Sequence, residues 1–317
     1  VQALLEKFVP AADEVWGLQN GDTPAAKLFQ VIAEQGHYAG RTKPTNTRQG
    51  IYATAPSGKL LASINSRDAG QVAAMLRKAL DAWEAMPDEE RWLAEDEAAR
   101  VIDTPGWERL YPDDGLVTRI VARDLPREKE MGDWRDLAWN QDFAWFRAEE
   151  VRHLVPGEKT PGAMAAWPER VSKRLASAHF TDYVRGQVGP FDDDQVESAT
   201  IESEVVEVEG NLVSIRLTGR TRAVAEGVWP VEGFRDMDDP KQRERGVELE
   251  LRGHAVFDTL RERFVEFEMV GIGTRWGGAQ YNGRAGDLEP GPLGYLVTLA
   301  EDDARIPPAA IWRYGWR

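Results

Sequence analysis

The chain is 317 residues long, about twice the usual single-domain length, so two compact units or one large one are expected. Its 42% hydrophobic and 29% charged residues supply a sizeable core and exclude bulk disorder. Cysteine is absent, which removes disulfides, thiol nucleophiles and thiolate metal sites, and a net charge of −15 makes nucleic acid and anionic lipid poor partners.

The acidity is uneven. Residues 1–85 hold 9 Lys/Arg and 8 Asp/Glu, so nearly the whole excess lies beyond them. No stretch approaches the roughly 20 apolar residues that cross a bilayer, so no membrane insertion is expected. The opening VQALLEKFVP carries no basic-then-apolar leader, and a first residue of Val is compatible with a removed one. The chain as given is expected to be soluble; compartment and oligomeric state stay open.

In chain order, Lys7–Ala11 reads as strand-like. Thr23 then Pro24 predicts a helix start, Gly36 a stop, and Ala25, Leu28, Phe29, Ile32 and Ala33 share one helical face. Ile51–Ala55 and Leu60–Ile64 flank Pro56-Ser57-Gly58-Lys59, the composition of a hairpin turn. Asp68 with Gln71 predicts a capped helix with the stripe Val72, Met75, Leu76, Ala79, Leu80 and Trp83.

The segment TRQGIYATAPSGKLLASINSRDAGQVAAMLRKALDAW, residues 47–83, resembles the later part of a thioredoxin-like domain in the order of its elements. The family's Cys-x-x-Cys pair is missing, and no proline stands near Arg48–Gly50 where its cis-proline would fall. The resemblance therefore implies a thioredoxin-like unit over residues 1–85 without thiol–disulfide activity. On the same alignment the redox helix would end at Val1–Glu6, which leaves an oxidoreductase with cysteines upstream of Val1, or mutated, as one alternative.

Residues 86–109 read as an acidic connector, with MPDEERWLAEDEAA at 86–99 too polar for core. Beyond it the pattern turns to period two. Strands are predicted at Gly115–Ala122 and Ile201–Val208, and after the Glu209-Gly210-Asn211 turn through Val213, Ile215 and Leu217. Alternation continues through Val247, Leu249 and Leu251, then Val265, Phe267 and Met269, then Leu293, Tyr295, Val297 and Leu299. This describes an antiparallel sheet with one buried face and one wet, acidic face. Helices predicted at Asp133–Leu154 and Pro168–Phe180 would cover the buried face, with a loop at Pro156–Pro168 between them. The fold class is α+β, residues 110–317 forming the larger antiparallel sheet domain.

Four groups of residues are candidates for chemistry. His37, Arg41, Lys43 and Arg48 concentrate in the loop 37–50 as an anion-binding candidate, the simpler reading being a solvated loop. WNQDFAWF places Trp139, Asn140 and Asp142 among rings as pocket chemistry would, although the helical spacing of Leu137, Trp139, Phe143 and Phe146 also suits plain core. The Gly-rich stretch 271–295, with a connection of Gly273–Glu289, offers Arg275, Trp276, Tyr281 and Arg284 as ligand contacts, or else forms a rigid loop. His179 with Asp182, and His254 on the polar strand face, are weak catalytic candidates; no spacing points to a metal site, and no cofactor is called for. Asp192-Asp193-Asp194 lacks calcium-loop spacing and is expected to cap or turn. The leading expectation is a non-redox binding or accessory protein with an aromatic and arginine-lined site for a small molecule or protein partner. The enzyme alternative is a hydrolase or metal-dependent catalyst using His179 or His254 with Asp182 or Asp142.

Overall fold

The computed structural model describes residues 1–11, 15–38, 48–96, 107–127, 132–233, 235–301 and 305–316, which divide into two compact units, Val1–Pro105 and Gly106–Arg317. No helix among them is long and apolar enough to cross a membrane.

The first unit contains helices α1 (Gln2–Leu5), α2 (Val15–Asn20) and α3 (Pro24–Gln35), the hairpin β1 (Ile51–Thr54) and β2 (Leu60–Ile64), then α4 (Ala69–Ala85) and α5 (Asp88–Arg91). Local chemistry explains the boundaries. The Thr23 hydroxyl accepts from Ala26 N–H and Pro24 begins α3, while Asp68 accepts from Gln71 N–H at the start of α4. The stripe Val72, Met75, Leu76 and Ala79 packs on Ala53 and Ala62 of the hairpin, each large side chain stabilising by about 1.5–3 kcal/mol. Lys7–Ala11 forms no strand: α1 is followed there by a turn and irregular chain, and the hairpin of this unit pairs only with itself among the described residues.

The second unit is an antiparallel sheet of eight strands in the order β4-β3-β10-β9-β8-β7-β6-β5. Its members are β3 (Leu116–Asp124), β4 (Trp139–Phe146), β5 (Met164–Ala166), β6 (Val196–Glu209), β7 (Leu212–Trp229), β8 (Lys241–Asp258), β9 (Arg263–Trp276) and β10 (Gly291–Leu299). Helices α6 (Ala148–Leu154) and α7 (Glu169–Arg174) lie between strands in sequence, and a π-helical turn at Leu175–His179 continues α7. The class is α+β.

Alternation works as period two requires. Val213, Ile215 and Leu217, Leu249 and Leu251, Phe267 and Met269, and Leu293, Tyr295 and Val297 form one continuous core with Val171, Leu175 and Phe180. Glycine lets the strands crowd on this inner face. A Cβ on Gly273 would stand 1.8 Å from Glu248 O, and one on Gly253 2.3 Å from Glu268 O. The opposite face carries ladders such as Glu197–Arg222–Glu248 and Arg216–Glu204.

Three expectations need correction. The segment Asp133–Leu154 is not one helix: Trp134–Leu137 is a 3-10 turn, Trp139–Phe146 is strand β4, and only Ala148–Leu154 is helical. Residues 142–146 of β4 are buried on both faces, which erases the alternation that would have marked a strand. Strand β5 lies inside the expected loop 156–168, as a short edge on β6. The Gly-rich connection is shorter than expected, 277–290, because β9 runs on to Trp276.

Candidate functional site

The segment Arg174–Arg185 is buried at every residue and lies against the inner face of the sheet. A buried chain must place its polar groups in bonds. This one does so through two polar clusters that include Asp142, His179, Asp182, Arg275 and Arg284 of the singled-out residues.

The first runs through His179. Tyr314 Oη accepts from Trp145 N–H at 3.1 Å and donates to His179 Nε2 at 2.7 Å. His179 Nδ1 donates to Asp142 Oδ2 at 2.7 Å, and Asp142 Oδ1 accepts from the N–H groups of Phe143 and Ala309, each at 2.8 Å. With a neutral imidazole every proton in this chain has one acceptor. Burial pushes the Tyr314 hydroxyl pKa well up, so it stays a donor; the nearby Arg174 opposes this only in part. Arg174 lies 4.3 Å over the Tyr314 ring and makes a bidentate pair with Glu150 at 2.8 and 2.9 Å. Both ring nitrogens of His179 are thus committed, and the cluster ties the C-terminal segment to edge strand β4.

The second cluster is ionic. Arg284, fully buried, grips Asp124 through Nη1 and Nη2 at 2.8 and 2.7 Å and Asp182 through Nε and Nη2 at 2.7 and 2.6 Å. Arg185 bridges Asp124 at 2.6 Å and Asp287 at 2.8 Å. Arg127 reaches Asp287 Oδ1 at 2.7 Å, and Arg275 lies 2.5 Å from Asp287 Oδ2 and donates to the carbonyls of Asp287 and Glu289. Burial raises the pKa of Asp124, but hydrogen bonding and charge from Arg284, then Arg185 and Arg275, outweigh it and hold the group below the usual range. Asp287 is likewise raised by burial and then carried well down by Arg127 and Arg275. Burial and repulsion from Arg284 lower the pKa of Arg275. For Arg284 the two carboxylates win over burial and raise it.

The proposed sites are therefore regrouped. Asp182, Arg275 and Arg284 converge, and so do Asp142 and His179, but His179 and Asp182 do not share a partner because the helical turn ends at His179. Arg275 and Arg284 present no open guanidinium face, both being buried among aspartates. Asn140 donates to Tyr183 O, Trp276 donates to Glu244 and stacks with Arg222, and Tyr281 is a half-exposed residue bridging to Gln187. Trp139 and Trp276 share the outer sheet face but stand three strands and four rows apart, about 20 Å. A common pocket of Trp139, Trp276, Tyr281 and the arginines does not form. His254 is exposed on the outer face beside Glu268 and Arg216.

In the first unit, His37 and Arg48 meet around Tyr52, whose hydroxyl donates to Arg48 O at 2.7 Å and whose ring stacks on His37. Arg48 is buried against Glu34 at 2.5 Å, which spends its charge. Arg41 and Lys43 lie outside the described residues.

Two open surfaces complete the picture. At one end of the sheet a polar cleft of about 1260 Å³ is lined by Tyr111, Arg152, Arg263 and Arg305 among others, with Arg305 paired to Asp113 and Arg152 to Glu262. On the outer face, register aligns Val121, Leu296 and Val270 in one row and Trp139, Arg123, Gly294 and Ile272 in the next. Leu296 and Ile272 are 40% and 56% exposed and with Val121 and Val270 form an apolar patch across three neighbouring strands, while Arg123 stands in the row between it and Trp139, 57% exposed, on β4. Arg119 borders it on β3, and Glu268 and Glu250 border it on β9 and β8.

Sequence reasoning missed Asp124, Arg127, Arg185 and Asp287, and also Glu150, Arg174 and Tyr314. A signal existed for one: Asp124 falls in phase with buried Ile120 and Ala122, a charge on an apolar face. No known protein family, curated protein or solved structure matches this chain.

Proposed function

We propose that this chain is a non-redox binding protein whose working surface is the outer face of the C-terminal sheet, and that its partner there is a second copy of the chain. One observation carries the reading: an exposed apolar patch on β3, β10 and β9 with Arg119 and Glu268 on its two sides in one row. Contiguous exposed apolar surface of this kind is characteristic of protein interaction sites. The committed ring nitrogens of His179 and the paired arginines favour binding over the hydrolase alternative. The order of hairpin and helix in the first unit supports a thioredoxin-like scaffold, and the missing cysteines keep it non-redox.

Register selects how two copies meet. In one row Arg119 pairs with Thr298 and Thr298 with Glu268; in the next Val121 pairs with Leu296 and Leu296 with Val270. A two-fold axis parallel to β10 sets β3 of one copy over β9 of the other, so Arg119 meets Glu268 twice and Val121 meets Val270 twice. An axis perpendicular to the strands sets Arg119 against Arg123, like on like. Both arrangements keep the strands of the two sheets aligned, so charge makes the choice. Sedimentation velocity tests it. The wild type should dimerise, Arg119→Glu and Glu268→Arg should each be monomeric, and an equimolar mixture of the two variants should restore a dimer. A wild type that is monomeric throughout, or a mixture that stays monomeric, refutes the reading.

A further inference from the structure

The ionic cluster holds four guanidinium groups, Arg127, Arg185, Arg275 and Arg284, against three carboxylates, Asp124, Asp182 and Asp287. The neighbouring Asp133 and Arg135 pair with each other at 2.7 Å and leave this balance unchanged. Within this set the guanidinium groups outnumber the carboxylates by one; Arg245 also acts on Asp182, and Glu128 and Glu130 beside Arg127 lie outside the described residues. Arginine does not shed its proton in proteins, so the excess cannot be relieved by titration.

Donors are in excess as well. Arg275 Nε and Nη2, Arg185 Nε and Arg127 Nη2 are buried without a hydrogen-bond acceptor, although the Arg275 and Arg185 side chains are only 0% and 1% exposed. Arg275 Nη2 is in ion-pair contact with Asp287 Oδ2 at 2.5 Å, which takes at most one of its two N–H groups, and that oxygen already serves Arg185 and Arg284. A buried guanidinium with unmet donors is costly, and native structures rarely tolerate several together.

The space between these groups is kept by a glycine. A Cβ on Gly291 would stand 2.8 Å from Arg127 Nη2 and 3.0 Å from Arg275 Nη2, so the two nitrogens are no more than about 6 Å apart. A single acceptor atom spans such a gap with two ordinary charge-assisted bonds. Any larger residue at this position fills it.

We propose that this end of the sheet binds one monovalent anion, a halide or the carboxylate of a small organic acid, held between Arg127 and Arg275. The gap sets the size: one acceptor atom fits between nitrogens no more than about 6 Å apart, and a phosphate with four oxygens does not. Arg127, whose side chain is 19% exposed, is the way in; the others are sealed. The site is separate from the outer-face patch and does not depend on dimerisation.

Thermal unfolding of the full chain at constant ionic strength tests this, with chloride and formate as two arms and sulfate, a dianion too large for the gap, as the balancing salt. The transition of the C-terminal unit should rise by about 5–10 °C as a binding anion passes a hundred times its Kd. The arm with the lower midpoint distinguishes halide from carboxylate. Arg127→Gln leaves three guanidinium groups against three carboxylates, so it should fold and lose the response, and Gly291→Ala should lose it by filling the gap. Crystals soaked in bromide should show an anomalous peak between Arg127 and Arg275. A melting temperature that responds equally to all salts, or a response that survives Arg127→Gln, overturns the proposal, as do maps that show no anion at that point after soaking with bromide and with formate.

Discussion

Replacing Tyr314 by Phe removes one oxygen and breaks two bonds at once. Trp145 N–H loses its acceptor and His179 Nε2 its donor, in a place where Trp145 and His179 are both fully buried. Each buried group left without a partner costs about 1–3 kcal/mol, so the variant should lose roughly 2–6 kcal/mol. His179 cannot escape by moving its proton to Nε2, because Nδ1 would then face the Asp142 carboxylate with a lone pair. For a unit of this size the loss corresponds to a melting temperature lower by roughly 5–20 °C. Urea unfolding followed by tryptophan fluorescence reads it, taking the transition of the C-terminal unit alone. His179→Leu should share part of the same loss, so the double variant should cost less than the sum of the two singles. A Tyr314→Phe loss below about 0.5 kcal/mol, the size of an ordinary surface change, would refute the argument, and so would strict additivity.

Arg284→Lys should destabilise the C-terminal unit by about 3–5 kcal/mol, since an ammonium cannot form both forks and leaves Asp124 or Asp182 buried without its cation; a denaturation midpoint equal to wild type counts against this. Tyr52 titrates near 12 rather than 10, chiefly through burial and then through Tyr38. Its folded pKa is raised, so the stability it contributes is complete below pH 10 and is lost between pH 10 and 12 as the unfolded phenol ionises first. Unfolding of the first unit across that window, alongside phenolate absorbance, should show the decline in wild type and a shallower one in Tyr52→Phe; identical slopes would exclude it. Gly273→Ala forces a Cβ into Glu248 O and should cost more than about 2 kcal/mol, whereas Gly286→Ala meets nothing within 4 Å and should be nearly neutral by the same melt.

The sequence alone determined what is decided within a few residues. Thr23-Pro24, Asp68 with Gln71 and the Pro56–Lys59 turn each act on groups one turn away, so caps and hairpin stand where the residues place them. The period-two runs of β7 to β10 were legible for the same reason, one wet face leaving its mark on every second residue. Strand β4 was not, since packing on both faces writes an apolar run that fits a helix equally well. Only the tertiary structure decided which charges meet. Asp124 and Arg284 are 160 positions apart, and His179 and Tyr314 are 135; strand order and register bring them to 2.7 Å. Long-range pairing also turned Arg275 and Arg284 inward to aspartates and set Trp139 and Trp276 apart on one face. No local rule contains that outcome, because burial of a guanidinium depends on carboxylates supplied by distant parts of the chain.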